Sequence, residues 1–78
     1  MGNALEIFGR RVQQVRLEKG LTQEGLADLA GFDRTYISLI ERGKRNPSLT
    51  AICRLAKALG VMPADLLHGV PGMDAEGP

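Results

Sequence analysis

From 23 to 42 the apolar positions fall into helical register twice, with a break between. Leu26, Ala27, Leu29 and Ala30 share one stripe, and Ile37 and Ile40 form a second. Thr22 stands before the first stripe as a cap whose hydroxyl can accept the Gly25 N–H, and Asp33 holds the same place before the second. Gly31 interrupts the pattern where a helix ending calls for positive φ. So few residues separate the two helices that they must cross steeply. Ala27 is small where such a crossing brings backbones together.

The rest of the chain extends the same alternation. Leu5, Phe8, Val12 and Val15, spaced three, four and three apart, predict a first helix from about 4 to 19, closed by Gly20. Leu21 is then expected to turn into the core. The second helix, 23–30, carries Gly25 where a capping box would place Glu or Gln, and an interior glycine costs about 1 kcal/mol against alanine. Phe32 plugs the turn. A third helix, 34–42, ends at Gly43, and GKRNP makes a loop. Ser48 caps a fourth helix to about 59, with Ile52, Leu55, Ala56 and Leu59 inward and Cys53 semi-buried at the edge of that face. Pro63 opens a short fifth helix carrying Leu66 and Leu67. From His68 the chain is rich in Gly and Pro and reads as a mobile tail. The expectation is an all-α, compact five-helix bundle: one domain over 1–70 and a flexible tail over 71–78. The stretch 23–42 is a helix-turn-helix pattern, whose second helix is built to enter a DNA major groove.

Composition sharpens this only in places. A chain of 78 residues holds one core and buries only about 60% of its unfolded surface, so self-association would help it. No apolar run approaches the roughly 18 residues of a membrane span. One cysteine excludes an internal disulfide and a cysteine zinc cluster, and a cytoplasmic setting is expected. The formal net charge of +1 is uninformative, but its distribution is not: residues 1–60 carry +4 and residues 61–78 carry −3. A basic body with an acidic end suits a polyanion partner.

The surface of the third helix follows from its wheel. With Ile37 inward and about 100° per residue, Thr35, Ser38, Leu39 and Arg42 point outward, and Arg34 can swing out from the first turn. Arg34 can bond guanine O6 and N7 together; Thr35 and Ser38 can meet donors or acceptors, and Leu39 can meet a thymine methyl. These four are the base-reading candidates. Gln23 opens the second helix, where free N–H groups favour a phosphate. Tyr36, Arg42, Lys44, Arg45 and Asn46 complete the backbone-contact candidates, which anchor without reading sequence.

With these positions placed, VRLEKGLTQEGLA, the GFDRTYISLIERGKRNPS block, and LAKALGV followed by ADLL resemble the Cro/C1-type helix-turn-helix domain of phage repressors and small bacterial regulators. The resemblance covers about 8–67. It implies a five-helix DNA-binding domain acting on operator DNA as a homodimer. It also implies a phosphate role for Gln23, base reading by Arg34, Thr35, Ser38 and Leu39, and an internal salt bridge between Arg16 and Glu41. The small size and the RTYIS start to the third helix are similar to the controller proteins of restriction–modification systems. Gly25, where an acid is common, and Met62, where a Ser or Thr cap is common, depart from the pattern without touching the DNA face.

A homodimer on a palindromic operator would need a seam. Val61, Met62, Leu67 and Val70 are the candidates, while Leu66 is expected to close the core. His68 is alone, no metal-ligand spacing occurs, and no cofactor or small-molecule substrate is implied. No nucleophile–base pair or phosphate loop suggests an enzyme. The functional expectation is a sequence-specific transcriptional regulator, the alternative being an antitoxin-like protein-interaction module on the same fold.

Overall fold

The computed structural model describes residues 3–72. Met73 onward, and with it most of the expected tail, lies outside the described residues. Helix α1 (Ala4–Glu18) starts from a reciprocal cap: the Asn3 side chain accepts the Glu6 N–H at 2.9 Å, and the Glu6 carboxylate accepts the Asn3 N–H at 3.1 Å. Helix α2 (Gln23–Ala30) starts from the Thr22 hydroxyl, 2.9 Å from the Gly25 nitrogen, and ends at Gly31 with φ 76°. Helix α3 (Arg34–Glu41) follows after three residues, Gly31 to Asp33. Helix α4 (Leu49–Leu59) is capped by the Ser48 hydroxyl, and a four-residue helix α5 (Pro63–Leu66) follows. Met62 has no side chain to cap α5, and Asp65 compensates by accepting the Met62 N–H at 2.9 Å. Among the described residues the secondary structure is all helix.

Helix α3 packs against both α1 and α2. α2 also packs on α4, α4 on α5, and α5 returns to α1. The largest side chains lost to solvent at the centre are Val12, Leu26, Ile37, Ile40, Leu55 and Leu66. Gly9 is buried in the middle of α1, and a Cβ there would run into the carbonyl oxygens of Ile40 and Glu41. The absence of that carbon lets α1 touch the end of α3 backbone to backbone. Arg11 fastens the far end of the bundle, its Nε donating to the Asp65 carbonyl at 2.8 Å.

Several sequence-based expectations change. Leu29 is 63% exposed, not core. The inward direction of α2 runs between Leu26, Ala27 and Ala30, and Leu29 lies about 100° away from it. Cys53 is exposed, not semi-buried, because it sits about 160° around α4 from Leu55. Asp33 occupies the N-cap position of α3, but its side chain makes no cap hydrogen bond. Helix α3 stops at Glu41, so Arg42 is its C-cap and not its last turn. Val61 and Val70 are half-buried against the core, whereas Met62 and Leu67 stay exposed, at 68% and 42%.

Candidate nucleic-acid interface

The candidate surface is mounted on a buried ion pair. Arg16 donates to both carboxylate oxygens of Glu41, Nε to Oε2 at 2.6 Å and Nη2 to Oε1 at 3.0 Å. Both residues are 7% exposed. Arg16 Nη1 also donates to the Leu21 carbonyl at 2.8 Å, tying down the link between α1 and α2. Removing two charges from water costs as much as their attraction returns unless every lone pair and proton is used. Here they are used: no buried side-chain nitrogen or oxygen lacks a partner among the described residues. The pair's contribution is therefore geometric. It locks the end of α3 to α1, and it neutralises a carboxylate that would otherwise repel phosphate.

Gln23 extends this network to the start of α3. Its Nε2 donates to Glu41 Oε1 at 3.1 Å, and its Oε1 accepts from Arg34 Nη1 at 3.4 Å. The side chain expected to meet phosphate is thus already braced from both sides. One connected chain, Arg16–Glu41–Gln23–Arg34, runs through α1, α2 and both ends of α3.

Beyond that brace, Arg34 and Thr35 are exposed at the first turn of α3, while Ser38 and Leu39 are half-buried. The wheel had all four facing out. The chain turns back after Gly43, with the Lys44 N–H reaching the Leu39 carbonyl at 2.9 Å, and covers part of the last turn. Arg42 folds its Nε toward the Ser38 carbonyl at 3.4 Å. Lys44, Arg45 and Asn46 are exposed in the loop that follows. Among the described residues, none of Arg34, Arg42, Lys44 and Arg45 is in a salt bridge, so this side presents four unneutralised cations.

Tyr36 is not a bare flank residue. Its ring lies 4.6 Å from the Phe32 ring, centroid to centroid, at 34°, and the Arg45 guanidinium sits 5.3 Å from its centroid. Its hydroxyl makes no hydrogen bond among the described residues. Behind Phe32 stands a residue that sequence reasoning passed over. Arg54, on α4, donates to the carbonyls of Ala30 and Gly31 and lies 4.2 Å from the Phe32 centroid. No local pattern marks Arg54, because its partners are 22 to 24 positions away.

A family profile described as a helix-turn-helix domain matches residues 7–68. The chain belongs to this helix-turn-helix family. The control protein C.BamHI of Bacillus amyloliquefaciens is 55% identical over 62 residues, which cover 78% of this chain and 76% of that protein. The crystal structure of the restriction–modification controller protein C.AhdI from Aeromonas hydrophila superposes with a TM-score of 0.79 at 50% identity, covering 80% of this chain and 94% of that one. The clp gene regulator ClgR from Corynebacterium glutamicum gives 0.82 at 30% identity, covering 85% of each chain. The helix-turn-helix chain is accordingly a DNA-binding transcriptional regulator, and its relatives are regulators rather than enzymes. No helix among the described residues is long and apolar enough to cross a membrane.

Proposed function

We propose that this regulator is a controller-type protein that occupies a palindromic operator as a homodimer. Residues 1–70 act as the DNA-binding unit, and the setting is the cytoplasm. Each subunit lays α3 in a major groove, with Arg34, Thr35, Ser38 and Leu39 at base edges. Gln23, Tyr36, Arg42, Lys44, Arg45 and Asn46 hold the flanking backbone. The observation that carries this reading is the exposed first turn of α3, with Arg34 braced through Gln23 to the buried Arg16–Glu41 pair at the helix's other end. The controller assignment is supported by likeness to C.BamHI and C.AhdI, each matched over most of its own length.

Dimerisation is supported by a shallow apolar groove of about 150 Å³, lined by Leu5, Pro47, Ile52, Leu67 and Val70 among others. Leu67, in its lining, is 42% exposed, and Met62 is a further exposed apolar side chain on the same late segment. Asn46 also lines the groove, so a seam there would adjoin the basic loop and set the distance between the two copies of α3. Half-sites centred about 34–36 Å apart would match two recognition helices on one side of a duplex.

The test is selection of bound duplexes from random DNA, combined with sedimentation of the protein alone and with the recovered duplex. The expected result is a two-fold symmetric site with two protein chains bound. An asymmetric site bound by one chain, or no enrichment at all, refutes it.

A further inference from the structure

We propose that Arg54 is a positioning residue for DNA binding, acting through Phe32 to set the Tyr36 ring and the Arg45 guanidinium beside it. The proposal rests on the reading of Tyr36 and Arg45 as backbone contacts. Four side chains from α4, the α2–α3 turn, α3 and the loop after it form one chain of contacts. The Arg54 guanidinium lies 4.2 Å from the Phe32 centroid, the Phe32 and Tyr36 rings are 4.6 Å apart, and Arg45 is 5.3 Å from the Tyr36 centroid. Each neighbouring pair is within the range at which a cation and a ring, or two rings, attract.

The far end of this chain of contacts is anchored by hydrogen bonds. Arg54 Nε and Nη2 reach the Ala30 carbonyl at 3.1 and 2.8 Å, and Nη2 reaches the Gly31 carbonyl at 2.9 Å. These carbonyls end α2, where no intrahelical donor remains and the helix dipole is negative. The Arg54 charge is therefore directed at α2, not left free for phosphate. A planar guanidinium can donate along its edge and stack on its face at once, whereas an ammonium cannot. Gly31 leaves room for this: a Cβ there would stand 2.6 Å from Arg54 Nη2. Helix α4, which carries none of the proposed DNA contacts, thereby sets the pose of a first-turn residue of α3 and of the loop behind it.

The experiment uses the full 78-residue chain and the duplex recovered by the selection, with Kd and its salt slope measured well below each variant's Tm. Arg45→Ala comes first. It should bind more weakly, with a slope smaller by about one; wild-type binding would remove the backbone-contact reading itself, and this proposal with it. Given that loss, Arg54→Gln and Arg54→Lys should each weaken binding roughly three- to tenfold and lower the slope toward that of Arg45→Ala. Both should change the emission of Tyr36, the only tyrosine in a chain without tryptophan. The double variant Arg54→Gln with Arg45→Ala should bind about as well as the weaker single variant. Wild-type affinity in Arg54→Lys, or losses that multiply in the double variant, would overturn the proposal. If Arg54→Gln does not fold, Phe32→Leu keeps the turn filled while removing the ring, and wild-type affinity there would overturn it equally.

Discussion

Gly9 and Gly25 both lie inside helices, and a methyl group means opposite things at the two. At Gly25 the added carbon would stand 3.2 Å from the Thr22 hydroxyl, a side-chain atom at an exposed position that can yield a few tenths of an ångström within its cap bond to the Gly25 N–H. Gly25→Ala is expected to stabilise by up to about 1 kcal/mol through helix propensity, a rise of a few degrees in a thermal melt followed by circular dichroism. At Gly9 the same carbon meets two backbone carbonyls that cannot retreat without separating α1 from α3. Gly9→Ala is expected to lose roughly 2 kcal/mol despite its better propensity, read as a lower Tm in the same melt. Glu41→Gln tests the ion pair. It keeps the shape and strands the buried Arg16 charge, so a loss of roughly 3–5 kcal/mol is expected, with weaker binding to the selected duplex. Unchanged urea and thermal midpoints would contradict the role given to the pair.

At the scale of the element, each helix is defined as much by its ends as by its stripe. Asn3, Thr22 and Ser48 each take an N–H three residues on, so their helices begin where a donor would otherwise go unpaired. Asn3→Ala should cost about 1 kcal/mol, read as a lower Tm. Gly31, like Gly43 and unlike Gly20 and Gly60, has two constraints. Its φ of 76° suits glycine, and the Arg54 guanidinium occupies the space a side chain would need. Gly31→Ala should therefore lower both Tm and affinity. Helix α3 makes no side-chain cap of its own at Asp33. It is held instead from outside, through Glu41 at one end and Arg34 at the other.

For the whole molecule the question is what the small bundle leaves uncovered. The core is closed by Leu66, at the cost of leaving Leu67 and Met62 outside it. Two copies sharing that region would cover those side chains and fix the separation of two α3 helices. Leu67→Glu should leave the far-UV spectrum unchanged, since Leu67 is exposed, and lower Tm by no more than the loss of the partner subunit removes. It should shift sedimentation from dimer to monomer and weaken binding to the two-fold site more than tenfold. A variant that remains dimeric would move the seam elsewhere. Binding by the intact dimer should also weaken steeply with salt, because each neutralised phosphate releases a counterion.

The alternation of apolar and polar residues, with Gly20, Gly31, Gly43 and Gly60 as stops, was enough to determine five helices and the short turn between α2 and α3. Those signals are local: helical register, caps and positive φ are decided within a few residues. The Asn3–Glu6 cap was equally local and could have been read three residues apart. What only the tertiary structure decided is everything that depends on residues far apart in sequence. Examples are Leu29 and Cys53 turning outward, Gly9 admitting α3, Gln23 bridging Glu41 to Arg34, and Arg54 standing behind Phe32. The physical reason is that periodicity tells which side of a helix is apolar, but not which direction is covered, nor which distant carbonyl a long charged side chain will find.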